Sequence, residues 1–74
     1  MAMNPLQRQC LDFLKLLREK ELSDDLIKQS CYSLMTLPEH KMEIMIRELT
    51  EYMKKNPTDR EYRSEMSRIH KALR

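Results

Sequence analysis

Residues 36–57 read Thr36-Leu37-Pro38-Glu39-His40-Lys41-Met42-Glu43-Ile44-Met45-Ile46-Arg47-Glu48-Leu49-Thr50-Glu51-Tyr52-Met53-Lys54-Lys55-Asn56-Pro57. Within this stretch Met42, Met45, Ile46, Leu49, Tyr52 and Met53 are separated by 3, 1, 3, 3 and 1 residues. An α-helix gathers that spacing onto one face, and no strand template fits it. Thr36 and Glu39 stand at capping-box spacing, and Pro38 suits the first turn. Lys54 and Lys55 place positive charge at the end that the helix dipole prefers. Asn56 tolerates the left-handed conformation and Pro57 bars continuation, which bounds the helix at 38–55. Glu43 with Arg47, Arg47 with Glu51, and Glu51 with Lys55 are opposite charges at i,i+4, expected to pair on the outer face. Ile44 stands apart from the apolar stripe.

Three more segments flank this one. Asn4 is a good N-cap and Pro5 a good first helical residue, so a helix is expected over 5–20. Leu6, Cys10, Phe13, Leu14 and Leu17 line one face of it, and Leu11 and Leu16 widen the stripe to two sides. A helix over 24–35 is capped by Ser23 or Asp24, with Asp24 and Asp25 at the positive end of its dipole. Leu22 is placed to staple against Ile27. Leu26, Ile27, Ser30, Cys31 and Leu34 form its buried stripe, and the small Ser30 and Cys31 let a neighbouring helix approach. The last helix, expected over 59–73, opens with a second capping box, Thr58 with Glu61. Tyr62, Met66, Ile69 and Leu73 fall at intervals of 4, 3 and 4, a narrow a/d seam. Arg60, Arg63, Arg68, His70, Lys71 and Arg74 surround it.

The 74 residues include no glycine. Positive φ is therefore hard to reach, which disfavours tight hairpins and glycine C-caps. Glycine-dependent phosphate loops are excluded outright. The expected fold is all-α: one domain over 1–74, a compact bundle of three core helices, with a fourth C-terminal helix that docks or mediates self-association. Such a short chain has a marginal core, which favours a partner. Two cysteines allow at most one disulfide, unlike a secreted disulfide framework. The start Met1-Ala2-Met3-Asn4-Pro5 lacks the pattern of a signal peptide, and Met1-Ala2 reads as an addition ahead of a native Met3. No apolar run is long enough to span a bilayer, so a cytoplasmic location is expected.

Chemistry-bearing constellations are sparse. Cys10 and Cys31 are candidate nucleophiles and His40 and His70 candidate bases, but no spacing links a cysteine to a histidine. The cysteines are 21 residues apart and the histidines 30, so zinc-type ligand pairs are absent. Both cysteines sit on apolar stripes, where a thiol acts as a small hydrophobe. His40 and His70 are expected to be exposed, His70 near a helix C-terminus. The segments joined by Thr36-Leu37 have helix-turn-helix length. The second opens Pro38-Glu39-His40-Lys41-Met42-Glu43, whose glutamates would face phosphates. No catalytic residue, metal or cofactor is expected.

Seven methionines accompany this scarcity, and Met35, Met42, Met45, Met53 and Met66 lie in or beside helical stripes. Methionine fills core gaps, and it also lines surfaces that accept helical partners. The expected function is a non-enzymatic protein–protein interaction module, a small helical regulator or adaptor acting through an apolar, Met-rich face. Tyr62, Met66, Ile69 and Leu73 are its expected partner-binding residues, with Arg63 and Arg68 on the rim. The expected partner is another protein or a second copy in a homodimer, not a membrane. The alternative is a nucleic-acid-binding regulator using the basic face of the last helix, where the chain's net charge of +2 is concentrated.

Overall fold

A computed structural model describes residues 4–74, and these form four helices. They are α1 (Pro5–Glu19), α2 (Asp24–Met35), α3 (Glu39–Met53) and α4 (Asp59–Leu73). The architecture is the expected all-α bundle, with α4 docked in it. The reading of Met1-Ala2 as an added start lies outside the described residues.

Local chemistry starts each helix. Asn4 accepts from the Gln7 N–H at 2.8 Å, and Gln7 returns the bond to the Asn4 N–H at 3.4 Å. Ser23 caps α2 by accepting from the Leu26 N–H. Thr58 and Glu61 close the expected capping box of α4. The box expected at Thr36 and Glu39 does not form. Pro38 is the N-cap of α3 and has no side-chain cap bond. Thr36 instead ends α2, and its hydroxyl donates to the Ser33 carbonyl at 2.8 Å. With Pro38 at the N-cap, Glu39 is the first helical residue and not the third, so Thr36 stands two residues ahead of the cap and out of capping-box register.

The helix ends are tied across the bundle. Lys20 Nζ donates to Asn56 Oδ1 at 2.6 Å, joining the C-terminal ends of α1 and α3. Asp59 accepts from the Ser23 N–H at 3.3 Å, joining the starts of α2 and α4. Both α2 and α3 pack on every other helix, whereas α1 and α4 do not touch each other. One face of α4 is therefore free of helical neighbours.

The core runs through all four helices, with Phe13, Leu17, Leu26, Met45, Leu49, Met53 and Tyr62 buried to 2% exposure or less. Leu37, in the two-residue link before Pro38, is also buried and anchors the turn. Leu11 departs from expectation: at 43% exposure it faces outward, so α1 buries one side, not two. The i,i+4 pairs expected on α3 do not close as salt bridges. Glu51 pairs instead with Lys54 at 3.0 Å, three residues on. Exposed pairs of this kind differ by tenths of a kcal/mol, too little to fix one choice.

The chain reaches positive φ twice without glycine, at Glu21 (φ 59°) and Asn56 (φ 51°). Asn56 was expected to do so. Glu21 ends α1 in a Schellman turn: its N–H donates to the Arg18 carbonyl at 3.0 Å, and the Leu22 N–H to the Leu17 carbonyl at 3.3 Å. Leu22 and Leu17 are both buried in the core, which supplies the apolar contact of that motif. Glutamate in this conformation costs about 1–2 kcal/mol that glycine avoids. Glu21→Gly is therefore expected to raise stability by about 1 kcal/mol, after glycine's larger unfolded-state entropy is counted. Urea unfolding checks this, and a less stable variant would show that the Glu21 side chain itself stabilises the turn.

Candidate functional site

The two sides of α4 have different fates. Its apolar seam faces inward: Tyr62 is 0% exposed, Met66 4% and Ile69 5%, and Leu73 is half-buried against the same core. Tyr62, Met66 and Ile69, expected to form a partner-binding face, are thus buried within their own chain. The seam packs on α2 and α3 of its own chain, because three helices alone leave the core open on that side. The methionines divide similarly. Met45, Met53 and Met66 are core, Met42 is half-buried, and Met35 alone among the expected five is exposed, at 75%.

A buried polar contact fixes the seam. Ser30 on α2 is 0% exposed, and its Oγ lies 2.7 Å from the Tyr62 hydroxyl. Ser30 donates its single proton to the Leu26 carbonyl at 2.9 Å, so Tyr62 is the donor to Ser30. Met66 Sδ lies 3.3 Å from Ser30 Oγ. Four residues further along α4, His70 Nε2 stands 2.7 Å from Thr36 Oγ1. The Thr36 proton is committed to Ser33, which leaves His70 Nε2 as the donor. His70 is thus half-buried and engaged, not simply exposed as expected; His40 is exposed.

The opposite side of α4 is built from Arg60, Arg63, Ser64, Ser67, Arg68, Lys71 and Arg74, all exposed. Helical periodicity sets this stripe directly across from the seam. The first six of these residues alone line a shallow open groove on the surface. Arg63 and Arg68, expected on an interface rim, belong to this face.

Its electrostatics follow from where the carboxylates go. Asp59 accepts from the Ser23 N–H. Glu61 accepts from the Thr58 N–H at 2.9 Å, and these capping bonds hold its carboxyl below the usual range. Glu65 grips Arg68 through two bonds, at 2.6 and 3.1 Å. That grip lowers the Glu65 pKa and raises that of Arg68. Every carboxylate of α4 is thus engaged within the fold. Among the described residues, salt bridges are confined to Glu51–Lys54 and Glu65–Arg68. Arg60, Arg63, Lys71 and Arg74 therefore carry none.

Other groups form no comparable site. Cys10 and Cys31 are free and half-buried. Burial first, and the nearby Cys31 thiol second, push the Cys10 thiol up, away from the reactive thiolate. Among the described residues, no three His, Cys, Asp or Glu side chains are grouped to hold a metal ion. None of the helices among them is long and apolar enough to cross a membrane. Tyr32 and Met35, at 71% and 75% exposure, form a small apolar patch near the end of α2.

No protein-family model matches the chain, and neither does any curated protein or solved structure.

Burial pushes the Tyr62 hydroxyl up from 10 to about 12. The unfolded chain releases this proton first, so the folded state holds more protons between those two values. The stability contributed is complete below pH 10 and is lost as pH rises to about 12. Its size is on the order of 2 kcal/mol. Denaturant unfolding at stepped alkaline pH is expected to show this loss in the native chain and a flatter profile in Tyr62→Phe. Parallel profiles would mean that Tyr62 is not held neutral by the core.

Proposed function

We propose that this chain is a non-enzymatic docking module whose working surface is the outward face of α4, and that its partner is anionic. The observation that carries this reading is that Arg60, Arg63, Lys71 and Arg74 line one exposed side of α4 without a salt bridge, while Asp59 and Glu61 are turned to backbone N–H groups and Glu65 to Arg68. A solvated face with no partner usually interleaves both signs, as α1 and α3 do here. The α4 stripe carries one sign along its whole length. Such a patch raises the local concentration of anions and speeds their association.

Heparin provides a partner-independent probe, with binding followed by fluorescence anisotropy. The triple variant Arg60→Glu, Arg63→Glu, Lys71→Glu is expected to lose at least about tenfold in affinity, since three close charge contacts are worth more than 1.4 kcal/mol together. A control reverses Arg8, Lys15 and Arg18, which are exposed on α1, the helix that α4 does not touch. Its affinity is expected to fall much less, although the net charge changes equally. Equal losses in both variants would reduce the effect to net charge and remove the α4 face from the account.

A second reading keeps a protein partner or second copy and rests on Tyr32 and Met35, the most exposed large apolar side chains among the described residues. They lie three residues apart on one face of α2. Sedimentation over a range of concentrations tests self-association there. A mass that rises with concentration in the native chain but not in Met35→Lys supports it, and a constant monomer mass removes the homodimer.

A further inference from the structure

The outward face of α4 is charged but has no apolar centre. Of its seven residues, five are Arg or Lys and two are Ser. Protein–protein interfaces draw their affinity from buried aromatic or aliphatic anchors ringed by polar groups. This face offers no such anchor, because Tyr62, Met66 and Ile69 are spent on the core. An amphipathic helix that lies on a lipid surface likewise inserts apolar side chains, and here the apolar side of α4 points inward. Single-stranded nucleic acid is held by stacking bases on exposed aromatic rings. The one aromatic residue of α4 is Tyr62, which is 0% exposed.

What is left is a partner recognised by regularly spaced negative charge on a rigid frame. Arg60 and Arg63 stand toward one end of the stripe, and Lys71 and Arg74 toward the other. Lys71 follows Arg63 by eight positions, and at the helical rise they lie about 12 Å apart along the axis. The major groove of B-DNA is also about 12 Å wide and admits one α-helix. Between the two ends, Ser64 and Ser67 are short, exposed and free of hydrogen bonds to other side chains. Short hydroxyl side chains let the helix backbone come close and add contacts to phosphate oxygens. The major groove of duplex RNA is deep and narrow, so its width does not match this spacing of charges.

We infer that the outward face of α4 is a sequence-independent contact surface for the phosphate backbone of duplex DNA. The inference rests on the anion-docking reading above and names the partner of that same face. Arg60, Arg63, Lys71 and Arg74 make the phosphate contacts. Arg68 is held by Glu65 and contributes little. The face has no Asn or Gln to pair with adenine, and nothing in it fixes an arginine fork on a guanine edge. Contacts are therefore to backbone, not to sequence.

The test is a salt titration with the full chain and a mixed-sequence DNA duplex of about 20 bp, two helical turns. Four phosphate contacts predict that log K falls against log salt with a slope of about −3.5. Arg60→Ala and Lys71→Ala are each expected to flatten that slope by about 0.9 and to weaken binding equally on unrelated duplex sequences. Far-ultraviolet circular dichroism confirms that both variants keep their helices. Poly-glutamate and vesicles of anionic phospholipid run in parallel. Binding to either of these with no salt-dependent binding to the duplex overturns the DNA inference and leaves the anion-docking reading standing. A duplex slope that Arg60→Ala and Lys71→Ala do not change also overturns it. No binding to the duplex, poly-glutamate, vesicles or heparin overturns both.

Discussion

Tyr62 is the side chain on which the arrangement of this protein depends. It is fully buried among the helices, and its hydroxyl donates to Ser30, which in turn donates to the Leu26 carbonyl. A buried hydroxyl without a partner costs about 1–3 kcal/mol, so Tyr62 can sit in the core only where Ser30 meets it. That requirement sets the register of α4 against α2. It also sets the rotation of α4: with Tyr62 inward, Met66 and Ile69 follow at helical spacing, and Arg60, Ser64, Ser67 and Lys71 must point out. The polarity of the surface is thus a geometric consequence of one core contact.

Energetics reinforce the same choice. A core of this size is marginal without a fourth helix, since a large apolar side chain contributes about 1.5–3 kcal/mol on full burial. Placing the seam inside adds three such residues to the other helices. Exposing it for a partner would remove them. No buried side-chain nitrogen or oxygen among the described residues lacks a hydrogen-bond partner, so this docking carries no uncompensated polar cost. Asp59 and Lys20 tie the helix ends, but those bonds are exposed and contribute less.

The fold was legible in the sequence because its signals are local. The stripe of α3, the cap at Asn4, the box at Thr58, and the stop at Asn56-Pro57 each act within a few residues. Thr36 shows the limit of such reading: the helix start shifted to Pro38, which left Glu39 as the first helical residue and Thr36 as the end of α2. Glu21 shows another. No residue preference marks glutamate for the left-handed conformation; burial of Leu22 on Leu17 imposes it from outside. The candidate site was half legible. Spacing identified the α4 seam and its basic flank but not which of them faces solvent, because an a/d seam serves a core and an interface equally well. The partner of Tyr62 lies 32 residues away at Ser30, and only the assembled bundle brings the two together. Likewise, the engagement of Asp59 by Ser23 depends on two helix starts meeting 36 residues apart.

The central claim is that α4 is an integral wall of a self-sufficient core. Native-state hydrogen exchange of the Tyr62, Met66 and Ile69 amides tests it most directly. These amides are expected to exchange with the same opening free energy as Met45 and Leu49 on α3, and to do so equally in concentrated and dilute protein. Exchange of α4 at a markedly lower opening energy, or protection that falls on dilution, would contradict the account and return the seam to a partner.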